Sequence, residues 1–234
     1  MKGHMLDARL GSAAELVRQG AVFADIGTDH AHLPIFLLES GRIERAVCSD
    51  INAGPLASAE RNIAEHGLSD RVELVLTDGV SGLGGKGITD YAVCGMGGEM
   101  IADIVSVAPE LRTPDVRLIL QPMTRQEVLR SALYSSGFEI ISERYSTALG
   151  KYYVCMLVGY TGELRALSEV EAHLGVSPIV GGRAEYLGYL EGKLRALNTA
   201  IEGRSRAEID TSVEATVARA IAKRIELVNA SINT

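Results

Sequence analysis

Three short apolar runs near the start of the chain end at carboxylates. The first closes as Asp25-Ile26-Gly27-Thr28-Asp29-His30, the second at Asp50 before Ile51, and the third as Thr77-Asp78-Gly79. A strand-ending acid can accept hydrogen bonds from hydroxyl or amino groups. At Asp50 those could be both hydroxyls of a ribose, and at Asp78 the amino group of an adenine. Gly27 lacks a Cβ, so the backbone there can pass close to a ligand. A single acid at a strand end is often only a helix N-cap, but three at successive strand ends describe a pocket. A fourth run leads into Cys94-Gly95-Met96-Gly97-Gly98-Glu99, a glycine-rich turn that implies close approach to a ligand, and a fifth into Gln121-Pro122-Met123.

The first turn is not GxGxxG, so the fingerprint that cradles a pyrophosphate is missing. Carboxylates would repel a pyrophosphate, whereas they suit a cofactor carrying a sulfonium and an ammonium. That chemistry favours S-adenosylmethionine over NAD. His30 and His32 lie two residues apart, but no other His or Cys is nearby in sequence, and no metal site is expected. Cys48, Cys94 and Cys155 are isolated within apolar stretches and read as buried small hydrophobes.

The elements that must hold these residues alternate. Strand-like runs fall at 21–26, 45–50, 71–76, 89–94, 116–121, 138–145 and 151–158, with helical patterns at 31–39, 53–66, 98–107 and 124–136. Such alternation predicts parallel crossovers in a doubly wound α/β sheet, whose ligands lie over the carboxyl ends of the strands. The last two runs are separated only by 146–150, too short for a crossover helix, and should pair as an antiparallel hairpin. Five parallel strands followed by an antiparallel pair is the class I, Rossmann-like methyltransferase pattern.

Beyond about residue 160 the strand-like runs stop. Leu164, Leu167, Val170 and Leu174 recur at helical spacing, followed by stripes through Tyr186, Leu187, Leu190, Leu194 and Leu197 and through Val213, Val217, Ile221, Ile225 and Val228. The expected organisation is a cofactor-binding domain over 1–160 and a helical, coiled-coil-like domain over 161–234. The last two stripes, parted by the polar stretch 202–210, should form a helical hairpin that folds on itself or pairs two chains as a homodimer.

The 234 residues are 47% hydrophobic and carry a net charge of −7. Residues 1–159 hold 14 Lys and Arg against 20 Asp and Glu, and residues 160–234 hold 9 against 10, so the acidity belongs to the first part. A polyanionic partner would meet the near-neutral tail, where Arg195, Arg204, Arg206, Arg219, Lys223 and Arg224 are the candidate phosphate contacts. No apolar run approaches the roughly 20 residues of a membrane span, and the amphipathic start lacks a signal-peptide core, so a cytoplasmic location is expected.

The segments DIGTDHAHLP (25–34), DINAGPL (50–56), TDG, CGMGGEMI (94–101) and LQPM (120–123) occur in this order. With them the chain resembles the bacterial tRNA (adenine-N1)-methyltransferases that modify adenosine 22. The resemblance runs from a leading helix at 6–19 through the sheet, and the tail matches the family's helical C-terminal domain in kind. It implies S-adenosylmethionine as cofactor and tRNA as substrate. It assigns Asp25, Gly27, Asp29, His30, Asp50, Ile51, Asp78, Gly79, Gly95, Met96 and Gly97 to the cofactor. Asp29, Gln121 and Pro122 would serve methyl transfer, with Asp29 and Gln121 as polar positioners. Two positions depart from the family pattern: Met123 stands where many relatives have Asn, and His32 where many have Tyr.

Overall fold

The β-rich runs and helical patterns alternate through the first half of the molecule as their spacing demands. The computed structural model describes residues 5–232. A leading helix α1 (Ala8–Leu16), capped by Asp7 through the Leu10 amide, precedes β1 (Phe23–Ile26), α2 (His32–Glu39), β2 (Ala46–Asp50), α3 (Ala53–Glu65) and β3 (Val72–Leu76). Then come β4 (Asp90–Gly97), α4 (Gly98–Ser106), β5 (Arg117–Thr124), α5 (Gln126–Ser135), β6 (Phe138–Ala148) and β7 (Lys151–Tyr160). The seven strands form one sheet in the order β3-β2-β1-β4-β5-β7-β6. Pairings among β1 to β5 are parallel, and β7 runs antiparallel to both neighbours. Strand order reverses between β1 and β4, so the crevice for a ligand opens over their carboxyl ends.

Two expectations about the strands need correction. β4 and β5 continue past Cys94 and Gln121, because Met96 still pairs with Pro122 and Gly97 with Thr124. The glycine-rich stretch is thus a bulged strand end, with register shifts on either side of Met96, and not a free turn. The hairpin is also tighter than its sequence suggests. β6 runs on to Ala148, leaving only Leu149 and Gly150, both at positive φ (49° and 72°), as the connection. Two left-handed residues in succession match the twist of the paired strands.

Apolar faces pack on both sides of the sheet. One cluster joins α1, α2 and α3 through residues such as Ala13, Leu33, Leu37 and Ile63. The other collects Ile101 of α4 and Leu133 of α5. It continues into the tail through Tyr186, Leu190, Val217 and Ile221. Past Tyr160 the chain forms α6 (Glu169–Leu174), α7 (Arg183–Arg206) and α8 (Ser212–Ile232). The first expected tail helix shrinks accordingly: Leu164 and Leu167 lie ahead of it, because the capping box of Ser168 and Glu171 fixes its start. The polar stretch at 202–210 is mostly helical, since α7 runs to Arg206 and only 207–211 form the turn.

The junction between sheet and tail is held by a buried ion pair. Arg130 of α5 donates from Nε to Glu143 of β6 at 2.7 Å, and both side chains are almost wholly withdrawn from water. Arg130 also donates to the Ala172 carbonyl of α6 at 2.9 Å, and the Tyr145 hydroxyl donates to Glu143 at 2.8 Å. Each formal charge in the network is therefore met by an opposite charge or a dipole.

Candidate active site

The cleft over β1 and β4 has a volume of about 350 Å³. Its floor is the turn after β1, where Gly27, Asp29 and Ala31 all adopt positive φ (72°, 45° and 54°). Left-handed Asp and Ala residues are costly, of order 1 kcal/mol or more each, and such strain concentrates at ligand-binding turns. At Gly27 the glycine is required twice over. Its φ favours it, and a Cβ there would lie 2.1 Å from the Met96 methyl. Gly98 is required for packing, because a Cβ would lie 2.3 Å from the Arg125 carbonyl. The starts of α4 and α5 are thereby pressed together at the edge of the site.

Asp25 sits in this cleft, only 6% exposed. Its carboxylate accepts a 2.7 Å hydrogen bond from the Thr28 hydroxyl. Burial pushes its pKa up to about 6, and the Thr28 bond only partly offsets the shift. A buried acid in that condition gains most from a cationic ligand. Asp50 lines the same cleft and accepts from the Asn52 amide at 2.8 Å. Asp29 and His30 stand at the rim, 3.7 Å apart and both well exposed. Gly95 and Met96 form the wall opposite.

The remaining expected residues are placed differently. Asp78 and Gly79 line an adjoining hollow with Val80, Met100 and Ile104. Ile51 is 61% exposed beside Asp50, and Gly97 ends β4 against Thr124. Gln121 and Pro122 are buried. The Gln121 Oε1 atom accepts from Arg9 at 2.8 Å and from the Gly95 amide at 3.1 Å, while its Nε2 donates to the Pro122 carbonyl at 3.1 Å. Its amide is thus engaged by the protein itself, and Met123 is the residue of that strand end that reaches the cleft.

A family profile described as a methyltransferase domain matches residues 6–156. The tRNA (adenine(22)-N(1))-methyltransferase of Bacillus subtilis strain 168 is 35% identical over 159 residues. That match covers 68% of this chain, and the chain spans about two thirds of that relative's length, 66%. A solved Streptococcus pneumoniae structure, described as a candidate tRNA (m1A22) methyltransferase in complex with S-adenosyl-L-methionine, superposes with a TM-score of 0.79 at 30% identity. It covers 94% of this chain and 99% of its own. The chain belongs to this methyltransferase family. The solved m1A22 tRNA methyltransferase of B. subtilis gives a TM-score of 0.71 at 27% identity over 96% or more of both chains, 97% of this one and 98% of its own. The similarity to the family's solved members thus extends through the helical tail.

Some cleft residues of this family member gave no signal in the sequence. Arg9 and Leu10 reach the cleft from α1, a helix remote from every strand-end motif. Thr28, His32 and Leu33 also line it, although a polar residue within DIGTDHAHLP could have been suspected. In the tail, Arg195, Arg206 and Lys223 are exposed. Arg204 pairs with Glu214, Arg219 donates to the Thr216 hydroxyl at 3.1 Å, and Arg224 donates to the Tyr186 hydroxyl at 3.4 Å. Tyr152 lies against α7 at Gly188, where a Cβ would meet its ring at 2.2 Å. No helix among the described residues is long and apolar enough to cross a membrane.

Proposed function

We propose that this protein transfers the methyl group of S-adenosylmethionine to N1 of an adenosine in tRNA, at position 22, in the cytoplasm. The observation that carries this reading is the meeting of Asp25, Gly27, Asp50 and the Gly95–Met96 wall in one cleft at the sheet's switch point. The donor set fits the cofactor: a buried acid for a cationic group, a second acid at the next strand end for a ribose, and a glycine cradle a Cβ would fill. Exposed Ile51 offers an apolar face beside Asp50, and Asp78 with Gly79 would receive the adenine end in the adjoining hollow. When bound, S-adenosylmethionine supplies an electrophilic methyl group on a sulfonium.

Adenine N1 carries a free lone pair, so the protein has mainly to expose and align the base. Asp29 at the rim would orient it and, as an exposed carboxylate, would offset the positive charge that the base acquires on methylation. Gln121 would act on the base through Gly95, whose amide it holds, with Pro122 fixing the strand end behind it. Met123 and Met96 would supply apolar surface for the ring. Cations on the near-neutral tail, foremost Arg195, Arg206 and Lys223, are the proposed contacts to tRNA phosphates.

The test is methyl transfer from labelled S-adenosylmethionine to unmodified tRNA transcripts carrying adenosine or guanosine at position 22. Incorporation as 1-methyladenosine only with the adenosine is the expected outcome. Cofactor binding without incorporation into either transcript would overturn the tRNA assignment and keep the cofactor. Absence of cofactor binding would overturn both.

A further inference from the structure

The hairpin of β6 and β7 reaches further than its pairing with β5 requires. The last pair that β7 makes with β5 joins Met156 to Leu120, whereas β7 stays paired with β6 out to Lys151 opposite Ala148. Residues Lys151 to Cys155 therefore carry the hairpin roughly 16 Å beyond that last pair, at about 3.3 Å per residue. Because β7 runs antiparallel to β5, the extension rises at the carboxyl ends of the parallel strands, the side on which the cleft opens. At the tip, a two-residue turn with both φ positive suits Asn-Gly or Gly-Gly, yet Leu149 takes the first place at φ 49°. Leu149 is 100% exposed, and a Cβ on Gly150 would meet nothing within 4 Å, so the tip stands clear of the other described residues. A left-handed leucine in open water stabilises nothing in the fold, and Asn would relieve both the strain and the exposure. Strain kept at such a residue points to something outside the fold.

The neighbours of the tip belong to both the cleft and the tail. Tyr152 lays its ring against Gly188 of α7, and further along that helix Lys193 donates to Glu127 at the start of α5 at 3.1 Å. Arg195 and Arg206, proposed above to meet tRNA, follow on the same helix, and exposed Lys151 adjoins the turn itself. Adenine N1 lies on the base-pairing edge within a stack, so methyl transfer requires the base to leave it. The departure opens a gap, and an apolar side chain inserted between the remaining bases offsets the cost of unstacking. Resting on the tRNA assignment above, we propose that the hairpin tip is a wedge. Leu149 packs against the bases beside the target adenosine as it is drawn out, and Lys151 meets an adjoining phosphate. RNA is favoured over a second copy of this chain because the tip is one apolar side chain wide and flanked by a cation. A specific protein interface needs on the order of 1,000 Å².

The experiment takes three readings on the full-length protein: methyl transfer to the transcript carrying adenosine 22, calorimetric binding of S-adenosylmethionine, and fluorescence of 2-aminopurine placed at position 22. That fluorophore brightens when it unstacks. Leu149→Asn should leave the melting temperature unchanged or higher, because Asn suits the turn. Its affinity for S-adenosylmethionine should stay within about twofold of the unaltered protein's, while kcat on tRNA falls by about 10- to 100-fold, the size of one lost stacking contact. The rise in 2-aminopurine fluorescence on binding should shrink in parallel. Leu149→Met, which keeps an apolar side chain, should retain most of both. Lys151→Ser should instead raise the KM for tRNA by about two- to fivefold with a shallower salt dependence.

A Leu149→Asn protein with undiminished kcat and an undiminished fluorescence rise would overturn the wedge. So would an equal loss in Leu149→Met, since apolar surface would then not be what the tip supplies. A loss of activity matched by weaker S-adenosylmethionine binding or a lower melting temperature would make Leu149 merely structural. If Leu149→Asn converts a dimer to a monomer in sedimentation while kcat holds, the tip is a contact between two copies and the proposal fails. An unaltered protein that binds S-adenosylmethionine yet methylates no transcript would refute the tRNA assignment, and the wedge would fall with it.

Discussion

Asp25 and Glu143 are both carboxylates withdrawn from water, at 6% and 1% exposure, yet their surroundings differ in kind. Glu143 meets the Arg130 guanidinium at 2.7 Å and the Tyr145 hydroxyl at 2.8 Å, and Arg130 spends a further donor on the Ala172 carbonyl. Asp25 has the Thr28 hydroxyl, and its pKa rises to about 6. Glu143 is neutralised by the protein, so its network fastens α5, β6 and α6 together. Asp25 is left without a bonded cation inside a cleft and suits a positively charged ligand. Burial alone therefore does not separate structural from functional charges; whether the protein supplies the counter-charge does.

Removing one partner should expose that difference most sharply at the closed network. Arg130→Met leaves Glu143 buried and unpaired and should cost about 3–5 kcal/mol of stability, read by urea denaturation. The double variant Arg130→Met with Glu143→Gln should recover part of the loss, because no charge then remains buried. A single-variant loss below about 1 kcal/mol, the range of a surface pair, would erase the distinction.

Asp25→Asn is the corresponding change at the open carboxylate, and it should act in the opposite sense. The amide oxygen can still accept from Thr28, and no buried charge remains, so the protein should be as stable or more stable at pH 7.5. Affinity for S-adenosylmethionine should nevertheless fall by about 10- to 100-fold, as expected for losing a charged hydrogen bond. Destabilisation comparable to that of Arg130→Met would place Asp25 among the structural charges.

The strand-end acids and the alternation of runs were legible because they obey local rules: period, turn chemistry and the position of ligands over a parallel sheet. The hairpin was legible from the short gap at 146–150, although not its two-residue turn, since Leu149 is not a residue expected in the left-handed region. Continuation of β4 and β5 past Cys94 and Gln121 was not legible. Glycines read locally as a turn, whereas Met96 and Gly97 go on pairing with β5 past a bulge at Gly95, which itself is at positive φ. The helix expected through Leu164 and Leu167 failed because apolar spacing can be met without helix and gives no warning of a capping box at Ser168. Arg9 and the burial of Gln121 were invisible for a different reason. Their bond spans 112 residues, and nothing at either end of such a contact marks the other.

The pH response sharpens the comparison further, with a smaller effect. Asp25 titrates near 6 in the folded protein against an ordinary value of 3.8. Between those values the folded state holds a proton that the unfolded chain has released. Stability therefore falls as pH rises through that window and is flat above about 6, with a total change of about 3 kcal/mol from this group. Binding of a cationic ligand needs the ionised form, so it must follow the opposite course: affinity rises with pH up to about 6 and then levels. At pH 5 S-adenosylmethionine should bind about tenfold more weakly than at pH 7.5, since one pH unit below the pKa leaves about a tenth of the sites ionised. Asp25→Asn should flatten that profile while remaining weak throughout. Calorimetry at several pH values between 5 and 7.5 reads the effect directly. A profile for the unaltered protein that is flat across this range, with tight binding at pH 5, would mean that Asp25 does not meet the cofactor's cationic end.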